Sequence, residues 1–152
     1  MILDLDHLEA TSRLGEELAR ICTGPPHCPL LLEGDLGVGK TTLIRALVES
    51  LPGAELAEVS SPSFTLVNIS PPPPPIAHLD LYRLMDASAE EDLLEYLVSG
   101  DHLVLAEWID HLPRAYWPEF FLHAGISFRE QGRIISLQGR GACEDAIKDL
   151  RF

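Results

Sequence analysis

The segment Gly34-Asp35-Leu36-Gly37-Val38-Gly39-Lys40-Thr41 constrains this chain more than any other. It fits G-x-x-x-x-G-K-[ST] at every position, and its flanks supply the matching context. Pro29-Leu30-Leu31-Leu32 before it reads as a buried strand, and Thr42-Leu43-Ile44-Arg45-Ala46-Leu47-Val48 after it as a helix. A strand that turns through glycines into a helix start aims several backbone N–H groups at one point. Those donors and the positive end of the helix dipole form a nest for an anion. In such a phosphate-binding loop (P-loop) Lys40 reaches the β- and γ-phosphates and the Thr41 hydroxyl ligates Mg²⁺. Asp35, Gly37, Val38, Gly39 and Thr42 complete the phosphate lining. A glycine-rich turn that binds nothing requires neither the lysine nor the threonine.

The 152 residues suffice for one domain, 1–152, with a sizeable core. Eleven Lys and Arg stand against 24 Asp and Glu, a formal net charge of −13. A chain so acidic has no general field for gathering polyanions, which argues against autonomous nucleic-acid binding. A nucleotide phosphate site is compatible, because it depends on local amides and Lys40. No apolar run approaches the length of a membrane span, and the N-terminus lacks a basic signal-peptide region, so the expected location is the cytoplasm. Cys22, Cys28 and Cys143 are an odd number without metal-ligand spacing, and free or buried thiols in a reducing compartment are expected.

Periodicity predicts a helix over Leu8–Cys22, ended by Gly24-Pro25-Pro26, and a P-loop helix running to about Leu51. Strands are expected over Phe64–Ile69, Ile76–Asp80 and His102–Trp108, and a helix opens near Ser88 and runs to Gly100. Pro71–Pro75 reads as a surface polyproline II spacer. Phe120–Phe128 and Arg133–Gln138 read as paired strands around Gln131-Gly132, and Ala142–Leu150 as a closing helix. The expected fold is therefore α/β, of the P-loop NTPase kind: a mostly parallel central sheet with antiparallel edge strands and helices on both faces.

Ligands bind such sheets at the carboxyl ends of the strands. Asp80 and Glu107 both stand where an apolar strand ends, so both are candidates for the metal shell or for orienting water. Asp80 is preferred for Mg²⁺ and Glu107 for water, although the residues alone leave the division open. His78 shares a strand face with Asp80 and is a candidate for orienting it or for sensing the γ-phosphate, if it is not simply a core histidine. Arg83 is a candidate internal arginine finger, although a structural pairing with a nearby acid is the commoner role of such a residue. Ser60-Ser61-Pro62-Ser63 reads as a turn or a phosphate-responsive switch, and Trp108 and Trp117 as core or interface residues.

These segments resemble one family. Gly34 to Thr42, Ser61-Pro62-Ser63-Phe64-Thr65-Leu66-Val67, His78-Leu79-Asp80-Leu81-Tyr82-Arg83-Leu84 and Glu107-Trp108 are similar, in order and spacing, to the TsaE (YjeE) ATPases. Thr11-Ser12-Arg13-Leu14-Gly15 resembles that family's N-terminal segment. The resemblance implies a small ATPase, using ATP and Mg²⁺, that helps build threonylcarbamoyladenosine on tRNA. It implies action on a partner pair, the TsaD transferase and its TsaB companion, with tRNA reached only through that complex. It also implies Asp80 for Mg²⁺, Glu107 for hydrolysis and Ser61–Ser63 as a switch-like loop, with Thr11, Ser61 and Ser63 among the nucleotide contacts. Two departures stand out: Ser63 replaces the family's usual threonine, and the proline run replaces a segment that often contains tyrosine.

Two other readings share the P-loop. A small-molecule kinase closes an arginine-bearing lid over its acceptor, and here the arginines are scattered. A nucleotide-gated binding module lacks appreciable turnover. A GTPase is disfavoured because the only asparagine, Asn68, is followed by Ile-Ser rather than Lys-x-Asp.

Overall fold

A computed structural model of the chain describes residues 1–54, 67–70, 74–84 and 91–152, with the backbone alone at 67–70 and at 91–92. Ser61 and Ser63, the first part of the Phe64–Ile69 strand, Pro71–Pro73 and the expected helix opening at Ser88 lie outside the described residues. The element order is β1 (Ile2–Asp4), α1 (Leu8–Cys22), β2 (Leu30–Glu33), α2 (Lys40–Glu49), β3 (Val67–Ser70), β4 (Ile76–Asp80), α3 (Glu91–Ser99), β5 (Leu103–Glu107), β6 (Phe121–Phe128) and β7 (Arg133–Arg140).

The seven strands form one sheet in the order β1-β7-β6-β2-β5-β4-β3. β6, β2, β5 and β4 are mutually parallel where they pair, whereas β3, β7 and β1 pair antiparallel. β6 thus belongs to both sets, running parallel to β2 and turning back as a hairpin into β7. β2 lies at the centre and reads Leu-Leu-Leu because both its faces are covered. Leu30 and Leu32 face the α1–α2 layer, and Leu31 faces the layer that contains Leu93 and Leu97 of α3. Helices therefore cover both faces.

α2 buries Leu43, Ile44, Leu47 and Val48 against the sheet, at the helical spacing read in the sequence. α1 packs onto α2 through Leu14, Gly15 and Leu18. Gly15 sits in mid-helix because a Cβ there would lie 2.7 Å from the Ala46 carbonyl carbon and 2.8 Å from the Leu47 nitrogen. Among the described residues no helix is long and apolar enough to cross a membrane.

Two expectations need correction, and one strand is added. The closing segment Ala142–Leu150 is not an α-helix but short 3₁₀ turns at Gly141–Cys143 and Ala146–Asp149. Cys28 and Cys143 are not thiols: they form a disulfide that ties the entry to β2 to the turn after β7, with Cα atoms 6.0 Å apart. A pairing across 115 residues of sequence leaves no local spacing signal. Cys22 remains a free, buried thiol, and burial pushes its pKa up to about 12. Finally, β1 adds an edge strand at Ile2–Asp4, a segment too short and too exposed to show a core-facing alternation.

Candidate phosphate-binding site

The strand period of two arranges the site. On β4, Ile76, His78 and Asp80 share a face. On β5, Leu103, Leu105 and Glu107 do the same, and the register sets Asp80 beside Glu107. Ile76, Leu103 and Leu105 pack in the α1–α2 layer, so the polar residues at the strand ends lie on the side where α2 begins.

The loop after β2 carries positive φ at Gly34 (139°), Gly37 (76°) and Gly39 (106°), conformations that side chains strongly disfavour. Gly39 caps α2 in the left-handed region. Lys40 follows and is buried, with its Nζ donating to the Gly34 carbonyl at 2.6 Å and to the Asp35 carbonyl at 3.0 Å. Burial lowers the pKa of this ammonium. The nearby Glu107, Asp110, Asp80 and Asp35 carboxylates oppose that shift.

Thr41, one residue on, meets Glu107. Its Oγ1 lies 2.9 Å from both carboxylate oxygens, so the single hydroxyl proton is shared between them. The Glu107 side chain is only 3% exposed, and His78 Nε2 approaches its Oε1 at 2.8 Å. A buried carboxylate is costly unless paired and hydrogen-bonded. Here two donors and the Lys40 charge meet that cost. Asp80 is also buried, and its Oδ1 accepts the Tyr82 N–H at 3.0 Å. Of the two candidate acids, Glu107 is the one in contact with the P-loop threonine. His78, a candidate for orienting Asp80, for sensing the γ-phosphate or for a core position, bonds Glu107. Arg83 is exposed in the turn after β4.

Two site residues carry little sequence signal. Trp108 leaves β5 in a left-handed conformation (φ 60°, ψ 40°), which costs about 1–3 kcal/mol for a non-glycine residue. That bend places its ring over Lys40, with Nζ 3.5 Å from the centroid. Tyr82 and His111 pack on the same indole, at centroid distances of 4.8 and 5.3 Å. Trp108, read from the sequence as a core or interface residue, thus covers the site; its place directly after Glu107 was the one hint of that. Arg133, the first residue of β7, reaches across to the loop. Its guanidinium donates to the Val38 carbonyl at 3.2 Å and to the buried Thr11 hydroxyl at 3.3 Å. A cleft of about 350 Å³ opens beside the loop, lined by Glu33, Asp35, Trp108, Asp110 and Ser136 among others. A more apolar cleft of about 400 Å³ lies at the amino ends of the strands, between Pro29, Tyr96, His102 and Phe120, away from the loop.

Residues 5–135 match the family model described as threonylcarbamoyl adenosine biosynthesis protein TsaE. The chain belongs to the TsaE family. Its relatives include the tRNA threonylcarbamoyladenosine biosynthesis protein TsaE of a Nostoc species, 35% identical over 129 residues, covering 82% of this chain and 76% of that protein. The TsaE of Aquifex aeolicus is 36% identical over 105 residues, covering 68% and 73% of the two chains. The crystal structure of Bacillus subtilis YdiB superposes with a TM-score of 0.75 at 25% identity, covering 99% of this chain and 93% of that one. Membership of the TsaE family classes the chain as a P-loop ATPase.

Proposed function

We propose that this TsaE-family chain binds ATP with Mg²⁺ on the Gly34–Thr41 loop and hydrolyses it in the synthesis of threonylcarbamoyladenosine on tRNA, acting on the TsaD–TsaB pair. The contact between Thr41 and the buried Glu107 supports the Mg²⁺–ATP part of this reading, because it brings two oxygen ligands together beside the P-loop lysine; the tRNA-modification part rests on membership of the TsaE family, and the TsaD–TsaB pair on the resemblance alone. Hard oxygen donors suit Mg²⁺, which commonly takes one or two protein ligands and fills the rest of its shell with phosphate oxygens and water. When bound, the ion neutralises charge on the β- and γ-phosphates during hydrolysis.

The chain's own residues divide the remaining work. The loop amides and the Lys40 ammonium hold the phosphates. Glu107 is assigned to the metal with Thr41, against the preference for Asp80 read from the sequence, because Glu107 is the acid that touches Thr41; Asp80, its neighbour in the sheet register, is then assigned to orienting water. Arg133 braces Val38 and Thr11 from the outer side of the loop. Ser61 and Ser63 are proposed as γ-phosphate-responsive contacts on the resemblance alone. The net charge of −13 supports an arrangement in which tRNA is held by the partner complex rather than by this chain.

Phosphate release tests the reading, measured on the purified chain with and without TsaD–TsaB, for wild type and Lys40→Ala. Slow Mg²⁺-dependent turnover that rises with the partners and vanishes in the variant is expected. Full activity in Lys40→Ala refutes the P-loop assignment. Efficient phosphorylation of a nucleoside or sugar points to a kinase, and tight tRNA binding by the chain alone contradicts the charge argument.

A further inference from the structure

We propose that His78 is a positioning residue for the metal site, its Nε2–H holding the Glu107 carboxylate against Thr41. The inference rests on the reading that Thr41 and Glu107 ligate Mg²⁺.

The Nε2–Oε1 distance is 2.8 Å, and an ionised carboxylate can only accept, so the proton sits on Nε2. Both partners are shielded from water, with side chains 5% and 3% exposed. The other ring nitrogen, Nδ1, is buried and has no hydrogen-bond partner among the described residues. An unpartnered lone pair is cheaper to bury than an unpartnered N–H, which agrees with the hydrogen standing on Nε2 and pointing at Glu107.

Among the described residues, the Thr41 hydroxyl, the Lys40 charge and His78 surround Glu107. Thr41 and Lys40 both have work on the nucleotide side, since the hydroxyl is itself a proposed ligand and the ammonium faces the phosphates. His78 is the one donor among the three that a metal and its nucleotide leave in place. It approaches from β4, the neighbouring strand, and so fixes the carboxylate direction by the spacing of the sheet. Without that donor the side chain is free to turn, and its alignment has to be paid for each time an ion binds. Groups that orient a metal ligand in this way typically contribute about 10–100-fold in metal affinity.

Mn²⁺ serves as the probe, because its binding to the ADP complex is read directly by electron paramagnetic resonance without turnover. Nucleotide affinity in EDTA and thermal melting are measured in parallel. His78→Leu is expected to weaken Mn²⁺ binding about tenfold while metal-free ADP affinity stays within about twofold. His78→Gln, whose amide N–H reaches roughly the position of Nε2, is expected to restore Mn²⁺ binding. His78→Asn has the same polarity but falls short of Glu107 and is expected to behave like Leu. The Gln and Asn pair decides the matter even if the leucine variant fails to fold. Equal Mn²⁺ affinity in the Gln and Asn variants overturns the proposal, as does a parallel loss of metal-free ADP affinity, which marks a packing role. Thr41→Val and Glu107→Gln separate the two levels: if neither alters Mn²⁺ binding, the metal reading itself fails. If both weaken it while His78→Asn does not, only the role of His78 fails.

Discussion

The Thr41 hydroxyl lies 2.9 Å from both oxygens of the Glu107 carboxylate, although 66 residues separate them in the chain. Thr41 opens the helix that follows the central strand, and Glu107 ends the strand next to it, paired with Leu32. Glu107→Gln keeps the size of the side chain but removes its charge. The substitution is expected to raise the Mg²⁺ concentration needed for half-maximal phosphate release by about 10–100-fold, with ADP affinity in EDTA within about threefold. A Mg²⁺ titration of activity on wild type and variant checks this, and an unchanged midpoint removes Glu107 from the metal shell.

Arg133 ties three separate pieces of chain together: β7, the loop at Val38 and α1 at Thr11. Hydrogen bonds from a charged donor contribute about 1.5–3 kcal/mol each when short, and these two are long, so Arg133→Ala is expected to cost about 1–2 kcal/mol of stability. Urea unfolding measures that loss. Lysine at this position supplies charge without the planar fork, so Arg133→Lys is expected to recover less than half of it. Full recovery by lysine argues that only the charge matters.

Gly15 marks the closest approach of α1 to α2. Alanine there gains up to about 1 kcal/mol in helix propensity, yet its methyl collides with backbone atoms of Ala46 and Leu47 rather than with a flexible side chain. Overpacking of this kind costs about 1–3 kcal/mol. Gly15→Ala is therefore expected to be destabilised on balance, seen as a lower urea midpoint at unchanged slope. A stabilised variant shows that the two helices separate readily.

Burial raises the Cys22 thiol from an ordinary value of 9.0 to about 12. The folded state holds this proton where the unfolded state has lost it, so the contribution is complete below pH 9 and declines from there upward. At pH 10 the loss relative to pH 7 is on the order of 1 kcal/mol. Cys22→Ala lacks this term. The difference in unfolding free energy between wild type and variant is expected to shift by that amount between pH 7 and pH 10, in favour of the variant. A pH-independent difference shows that Cys22 is not shielded in solution.

Much of the architecture was legible because its signals are local. The triple leucine of β2, the apolar spacing of α1 and α2, and strands closing on Asp80 and Glu107 each depend on a few neighbouring residues. The glycine pattern of the loop likewise encodes its own backbone conformation. The hairpin of β6 and β7 was readable from its turn, but its parallel place beside β2 was not.

Contacts made between distant segments had no such local record. Cys28 meets Cys143, and Arg133 meets Thr11 and Val38, only because β6 and β7 fold back beside the central strand. Trp108 covers Lys40 because the chain turns into the left-handed region on leaving β5. The sequence by itself determined a P-loop motif at residues 34–41 and two acids at strand ends, since motif and periodicity are properties of adjacent residues. Only the tertiary structure decided that Glu107 is the acid in contact with Thr41 and that His78 holds it, because that choice depends on which strand ends lie nearest the start of α2.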